Sequence, residues 1–231
     1  MKLAAWTGGA YRAATALTRR PPNREGKRMD IFDLVTLERH RARCSWVAGY
    51  GFVTALASSI GARNLCEIGV AYGYHAEQIL DSLPGVHYQG VDPYRAGYDP
   101  GDPFVADVAA LFAAPPQAAL DRLHAAVCMK LVRYDGRATV LRMPAPAAAA
   151  RFADGFFDLV YIDGDHTRAA VEADLAAWYP KVRPGGILCG DDFDWGDVAA
   201  AVIDFMGKRG KALTGYRSAA AGRPEKWSVR V

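Results

Sequence analysis

The sequence has few cysteines, and no two are close together. Cys44, Cys66, Cys128 and Cys189 form no Cys-x-x-Cys pair, which excludes a zinc ribbon and a thioredoxin-type site. Cys66 and Cys189 sit inside apolar runs, as expected of buried thiols in a reducing cytoplasm. No apolar run approaches the roughly 18 residues that mark a membrane-spanning helix, so none is expected. A large charge of one sign is also missing. The 28 Lys+Arg and 25 Asp+Glu leave +3, too little to imply a nucleic-acid partner. Internal repeats are absent. What is present is an ordinary globular composition, 51% hydrophobic and 23% charged over 231 residues, which excludes a disordered chain.

Acid is missing locally as well, since none precedes Glu25. Lys2, Arg12, Arg19, Arg20 and Arg24 make residues 1–29 a basic arm ending in a linker at Pro21-Pro22-Asn23. Gly8-Gly9 and Arg12 interrupt any apolar core, so a signal peptide is not expected. The simplest expectation is a short helix packed on the domain or on a second subunit of a homodimer. From Asp30 the pattern is globular to residue 231. Residues 30–43 and 46–60 have helical spacing, with Asp30 as a cap and Gly61 as a stop. Five short apolar runs, NLCEIGV, HYQGVD, ATVLR, FDLVYID and ILCGDD, read as strands alternating with helices, and WSVRV as a terminal strand. Pro184-Gly185-Gly186 reads as a turn into the fifth strand. In HTRAAVEADLAAWYPKV, Val171, Leu175 and Trp178 form the apolar face, with Glu172 and Asp174 placed off it. This alternation predicts an α/β fold, a Rossmann-like, doubly wound, mostly parallel sheet with helices on both faces.

In such a sheet, ligands bind beyond the carboxyl ends of the strands. Those ends are polar here. The first runs Glu67-Ile68-Gly69-Val70-Ala71-Tyr72-Gly73, a glycine turn that allows close approach to the backbone before a helix N-terminus. It is not Gly-x-Gly-x-x-Gly, which weighs against a nicotinamide or flavin dinucleotide. Asp92 ends the second strand about 20 residues beyond Gly73, where an acid can accept ribose hydroxyls. The fourth and fifth strands end in Asp163-Gly164-Asp165-His166 and Asp191-Asp192-Phe193-Asp194. Neighbouring carboxylates about 4 Å apart repel by roughly 4 kcal/mol at an effective dielectric of 20. A divalent cation among them removes that cost, and oxygen donors without cysteine suit Mg²⁺, with Mn²⁺ or Ca²⁺ as substitutes. Capping by Asp165 and Asp194 accounts for one acid per loop, not for five in two loops.

Residues 65–92 and 156–195 resemble the class I S-adenosylmethionine-dependent methyltransferases, in particular bacterial Mg-dependent O-methyltransferases of the sugar type with YIDGDH followed by PGGxLxGDD. The resemblance implies that Glu67, Gly69 and Gly73 line the cofactor and that Asp92 holds its ribose; His75, just after the glycine turn, is placed to contact the cofactor or to pack. It also implies that Asp163, Asp191 and Asp192 bind the metal and that Asp165 is the candidate general base; His166, directly after Asp165, is by position the next candidate, as base or metal ligand. The third strand departs from the pattern: Met143-Pro144-Ala145 stands where relatives carry a small polar or acidic residue near the adenine, leaving adenine to backbone groups.

The implied reaction is methyl transfer to a hydroxyl of a sugar or related small polyol, with a catechol-like phenol second. A hydroxyl needs help to lose its proton near neutral pH, from a cation and a carboxylate. Segment 93–118, with Tyr94, Tyr98 and Phe104, is long enough for a lid over the acceptor. From another class, a non-catalytic sugar- or nucleotide-binding protein is the alternative. Acids at the pocket mouth would repel phosphate backbones, so nucleic acid is not expected.

Overall fold

The computed structural model describes residues 31–99, 103–217 and 223–231. The arm expected over 1–29, the Asp30 cap and residues 100–102 of segment 93–118 lie outside the described residues. The apolar runs become strands β1 (Asn64–Ile68), β2 (His87–Val91), β3 (Ala138–Leu141), β4 (Phe157–Ile162) and β5 (Val182–Gly190). Strands β6 (Thr214–Tyr216) and β7 (Lys226–Arg230) follow. The sheet order is β3-β2-β1-β4-β5-β7-β6. Strands β1 to β5 pair in parallel, while β7 runs antiparallel to both β5 and β6. The chain steps one way from β1 and later the other way from β1's opposite edge. That reversal leaves a crevice at the carboxyl ends of β1 and β4.

Among the described residues eight α-helices flank the sheet: α1 (Ile31–Arg41), α2 (Gly51–Ser59), α3 (Tyr74–Ser82), α4 (Phe104–Phe112), α5 (Pro116–Leu131), α6 (Ala145–Ala149), α7 (Arg168–Trp178) and α8 (Gly196–Gly207). Alternate strand residues enter two separate cores, as pleating requires. Leu65, Leu159 and Tyr161 pack with α1 to α5, while Cys66, Val160 and Ile162 pack with α6 to α8. The doubly wound α/β expectation is met.

Local departures have local causes. The helix expected over 46–60 begins as a 3-10 turn, Ser45–Tyr50, which contains Gly49, a poor helix former. Pro184-Gly185-Gly186 is not a turn before β5 but a bulge within it, where Val182 to Ile187 face only Phe157 to Leu159 of β4. Asp174 is a correction: it is 5% exposed, on the same face as Val171, Leu175 and Trp178.

Candidate active site

The site is built where the ends of β1, β2 and β4 lock together. Gly69 N–H donates to Val91 C=O at 2.9 Å, and Asp163 N–H donates to Ile68 C=O at 2.8 Å. Gly69 has φ +88°, and a Cβ there would lie 1.7 Å from the Asp163 carbonyl oxygen. Only glycine permits this approach. Gly73 (φ +70°) starts α3, and a Cβ there would meet Val127 at 2.9 Å, so its small size serves packing against α5.

Beyond these ends lies a cavity of about 400 Å³. Ile68, Gly69 and Val91 form its floor, Tyr94, Tyr98 and Phe104 one wall, and Asp92, Arg95, Asp99, Asp163, Asp165, His166 and Asp174 its charged and polar groups. Segment 93–118 thus borders the cavity with three aromatic rings, and its second half forms α4 and the start of α5.

Asp92 is buried and ties the glycine turn to β2. Its Oδ2 accepts from the backbone N–H of Val70 (3.1 Å) and Ala71 (2.9 Å), and Oδ1 accepts from Tyr94 N–H (2.8 Å). Burial outweighs these three bonds and pushes its carboxyl up to about 6. A carboxylate has about four acceptor positions, so one remains for a ligand hydroxyl. Asp92→Ala should therefore loosen the turn as well as the ligand. We expect S-adenosylhomocysteine affinity to fall at least about tenfold, with a lower melting temperature. Calorimetry and thermal denaturation of the variant check both, and unchanged affinity would place the ligand elsewhere.

Glu67 and His75 belong to a buried network behind the cavity wall. Glu67 is 1% exposed; His75 Nδ1 lies 2.6 Å from its Oε1, and the Tyr88 hydroxyl donates to its Oε2. His75 also packs on the rings of Tyr50 and Tyr161. Neither residue lines the cavity.

The strand-end acids sort into two groups. Asp163, His166 and Asp192 each offer a ligand atom, all within 4.8 Å of one another. His166 Nε2 is 2.9 Å from Asp192 Oδ2, and its ring packs against Trp195 in a tilted pair with centroids 4.7 Å apart. Asp192 holds φ +53°, a conformation costly for a side-chain-bearing residue and typical of sites whose orientation matters. Burial, followed by repulsion from Asp191 and Asp192, drives the Asp163 carboxyl well above the ordinary range. Asp191 is turned away to partners of its own: the Tyr161 hydroxyl (2.8 Å) and Lys226 Nζ both donate to Oδ2. Its Oδ1 accepts from Asp192 N–H at 3.0 Å, so Asp191 steadies the loop that carries Asp192. Asp165 lines the cavity, and its Oδ1 accepts from Thr167 N–H at 2.8 Å, just before α7.

Asp174 is the cavity residue that sequence reasoning missed. The signal was present, because 171, 174, 175 and 178 follow the i, i+3, i+4, i+7 spacing of one helix face. Burial, then repulsion from Asp165, raises its carboxyl to about 7. An unfolded Asp ionises near 3.8, so between about pH 4 and 7 only the folded chain keeps this proton. Stability should fall as pH rises through that window and level off above it. The full loss is on the order of 4 kcal/mol. Asp174→Asn removes it, so the variant's advantage in urea denaturation should be small at pH 4.5 and large at pH 8. A pH-independent difference would contradict this.

The family model described as "Methyltransferase domain" matches residues 66–193, more than half of the chain. No curated protein sequence matches. Among solved structures, the Podospora anserina methyltransferase PaMTH1 with bound S-adenosylhomocysteine is 13% identical, covers 99% of both chains and gives a TM-score of 0.54. Cofactor-bound Rv0187 from MTB is 20% identical over 86% of this chain and 87% of its own, with a TM-score of 0.55. CalS11, a TDP-rhamnose 3'-O-methyltransferase of calicheamicin biosynthesis, is 18% identical over 95% and 92%, with a TM-score of 0.50. At these identities the likeness shows the fold alone. The family match carries the assignment, because it runs from β1 through the acids after β5: the chain belongs to the methyltransferase-domain family, within the class I S-adenosylmethionine-dependent methyltransferases.

Proposed function

We propose that the protein moves a methyl group from S-adenosylmethionine to a hydroxyl of a small polyol, a sugar in the first instance, beside Mg²⁺ or Mn²⁺. The observation that carries this is the convergence of Asp163, His166 and Asp192 within 4.8 Å, with Asp163 and His166 lining the cavity. The donor set fits a divalent cation. Two carboxylates suit Mg²⁺, and the imidazole extends the fit to Mn²⁺. The Asp163 carboxylate, among the described residues, receives no hydrogen bond that would compete. A divalent cation supplies Lewis acidity at a site like this, making a nearby hydroxyl easier to deprotonate.

The chain's own residues would do the rest. Asp92 and the turn 69–71 hold the cofactor, whose sulfonium carries the methyl group. Asp165, with one oxygen on Thr167 N–H, keeps the other for the acceptor's proton. Tyr94, Tyr98 and Phe104 exclude water from the transfer. Trp195, 51% exposed and packed at a tilt against His166, offers an aromatic surface to a sugar ring, and CalS11 is a TDP-rhamnose 3'-O-methyltransferase. Five acids line the cavity against one arginine, which disfavours a nucleic-acid acceptor.

Calorimetric titration of Mn²⁺ into the protein with S-adenosylhomocysteine present tests the assignment. One cation should bind per chain, and Asp192→Asn should lose it. Equal binding by the variant, or none by the parent protein, would contradict the proposal.

A further inference from the structure

Asp174 is 5% exposed and lines the cavity, yet among the described residues it has no hydrogen-bond or ion-pair partner. A buried carboxyl left unpaired is costly, and its persistence points to a partner that arrives with a ligand. The surroundings say which part of the ligand. Asp174 Oδ2 lies 3.7 Å from where a Cβ on Gly164 would stand, on the side of the sheet covered by α6 and α7. There Ala145 and Pro146 of α6 and Ala170 and Ala173 of α7 also line the cavity, with Ile68 and Val91 at its floor. Small side chains on two helices leave room for a flat ring, and Asp174 is the acid among them. The reacting end lies elsewhere, at Asp163 and His166, and the ribose end at Asp92. Met143-Pro144-Ala145, at the end of β3, brings no polar side chain for a base.

We infer that Asp174 reads the amino edge of the cofactor's adenine from α7, doing the work that the β3 end does not. This rests on the cofactor placement proposed above. The carboxyl accepts a hydrogen bond from the 6-amino group. When it keeps its proton, as its burial favours, the same carboxyl also donates to ring N1.

The test couples the residue to the amino group. Dissociation constants are measured by calorimetry for S-adenosylhomocysteine and for its analogue lacking the 6-amino group, with the parent protein, Asp174→Ala and Asp174→Asn. The parent should prefer the amino-bearing ligand by about tenfold or more. Asp174→Ala should bind S-adenosylhomocysteine about tenfold more weakly and the two ligands within about twofold of each other. Asp174→Asn, whose amide accepts and donates in the same places, should keep the preference. If the alanine variant keeps the parent's preference, or the asparagine variant loses it, Asp174 does not read the adenine. If the parent binds neither ligand, the cofactor placement fails and the inference with it. Loss of binding through misfolding would remove both ligands alike from the alanine variant, and the asparagine variant then decides.

Discussion

Asp165→Asn should lower turnover by roughly 10²–10⁴ while leaving S-adenosylhomocysteine and cation affinity near the parent values. The substitution is clean for a structural reason. Asp165 Oδ1 accepts from Thr167 N–H, and an amide oxygen can accept the same bond. The start of α7 is further held by Thr167 itself, whose hydroxyl accepts from Ala170 N–H. The loop should therefore keep its shape and lose only a proton acceptor. Rates beside two calorimetric titrations check this. If turnover stays near normal, Asp165 is not the base, and if the cation is lost, Asp165 is a ligand. Either result shifts attention to His166, 2.9 Å from Asp192 and 4.0 Å from Asp99, which would then serve as base in place of cation ligand.

Asp163→Asn should behave in the opposite way. Outer partners of metal ligands already cost about 10–100-fold in affinity when removed, so loss of a ligand should cost at least that. Turnover should fall with it and recover in part at high Mg²⁺. Without cation, the variant should be more stable than the parent, because burial, then repulsion from Asp191, Asp192 and Glu67, penalises the ionised Asp163. Adding cation should then stabilise the parent and leave the variant nearly unmoved. Thermal denaturation with and without Mn²⁺ measures both halves. A variant that is less stable without cation and equally stabilised by it would remove Asp163 from the centre.

Most of the sheet was legible in the sequence because β1, β2, β4 and β5 are short apolar runs followed by an acid or glycine, and the helices between them have their own punctuation. The bulge in β5 was not, because Pro184-Gly185-Gly186 looks the same whether a chain turns or merely puckers against β4. Strand β6 is only three residues, none of them buried, and carries no apolar pattern to read. At the site, residue types and order showed that acids would meet at the strand ends. Which acid faces which partner is decided by residues distant in sequence. Lys226, 35 positions away, takes Asp191, while Tyr88 and His75 take Glu67. Asp174 differs from these. Its helical spacing already placed it on the apolar face, and its charge argued it off; the spacing was the better guide.

The central claim is cation-assisted methyl transfer to oxygen, and labelled methyl transfer tests it most directly. Protein, S-adenosylmethionine labelled on the methyl group and a panel of sugars and phenols are incubated with Mg²⁺ or with excess chelator. The account predicts label in an ether linkage on a sugar or polyol with Mg²⁺, and none with chelator, while S-adenosylhomocysteine binding is unchanged. Full transfer in chelator, or label on nitrogen or carbon, would contradict it.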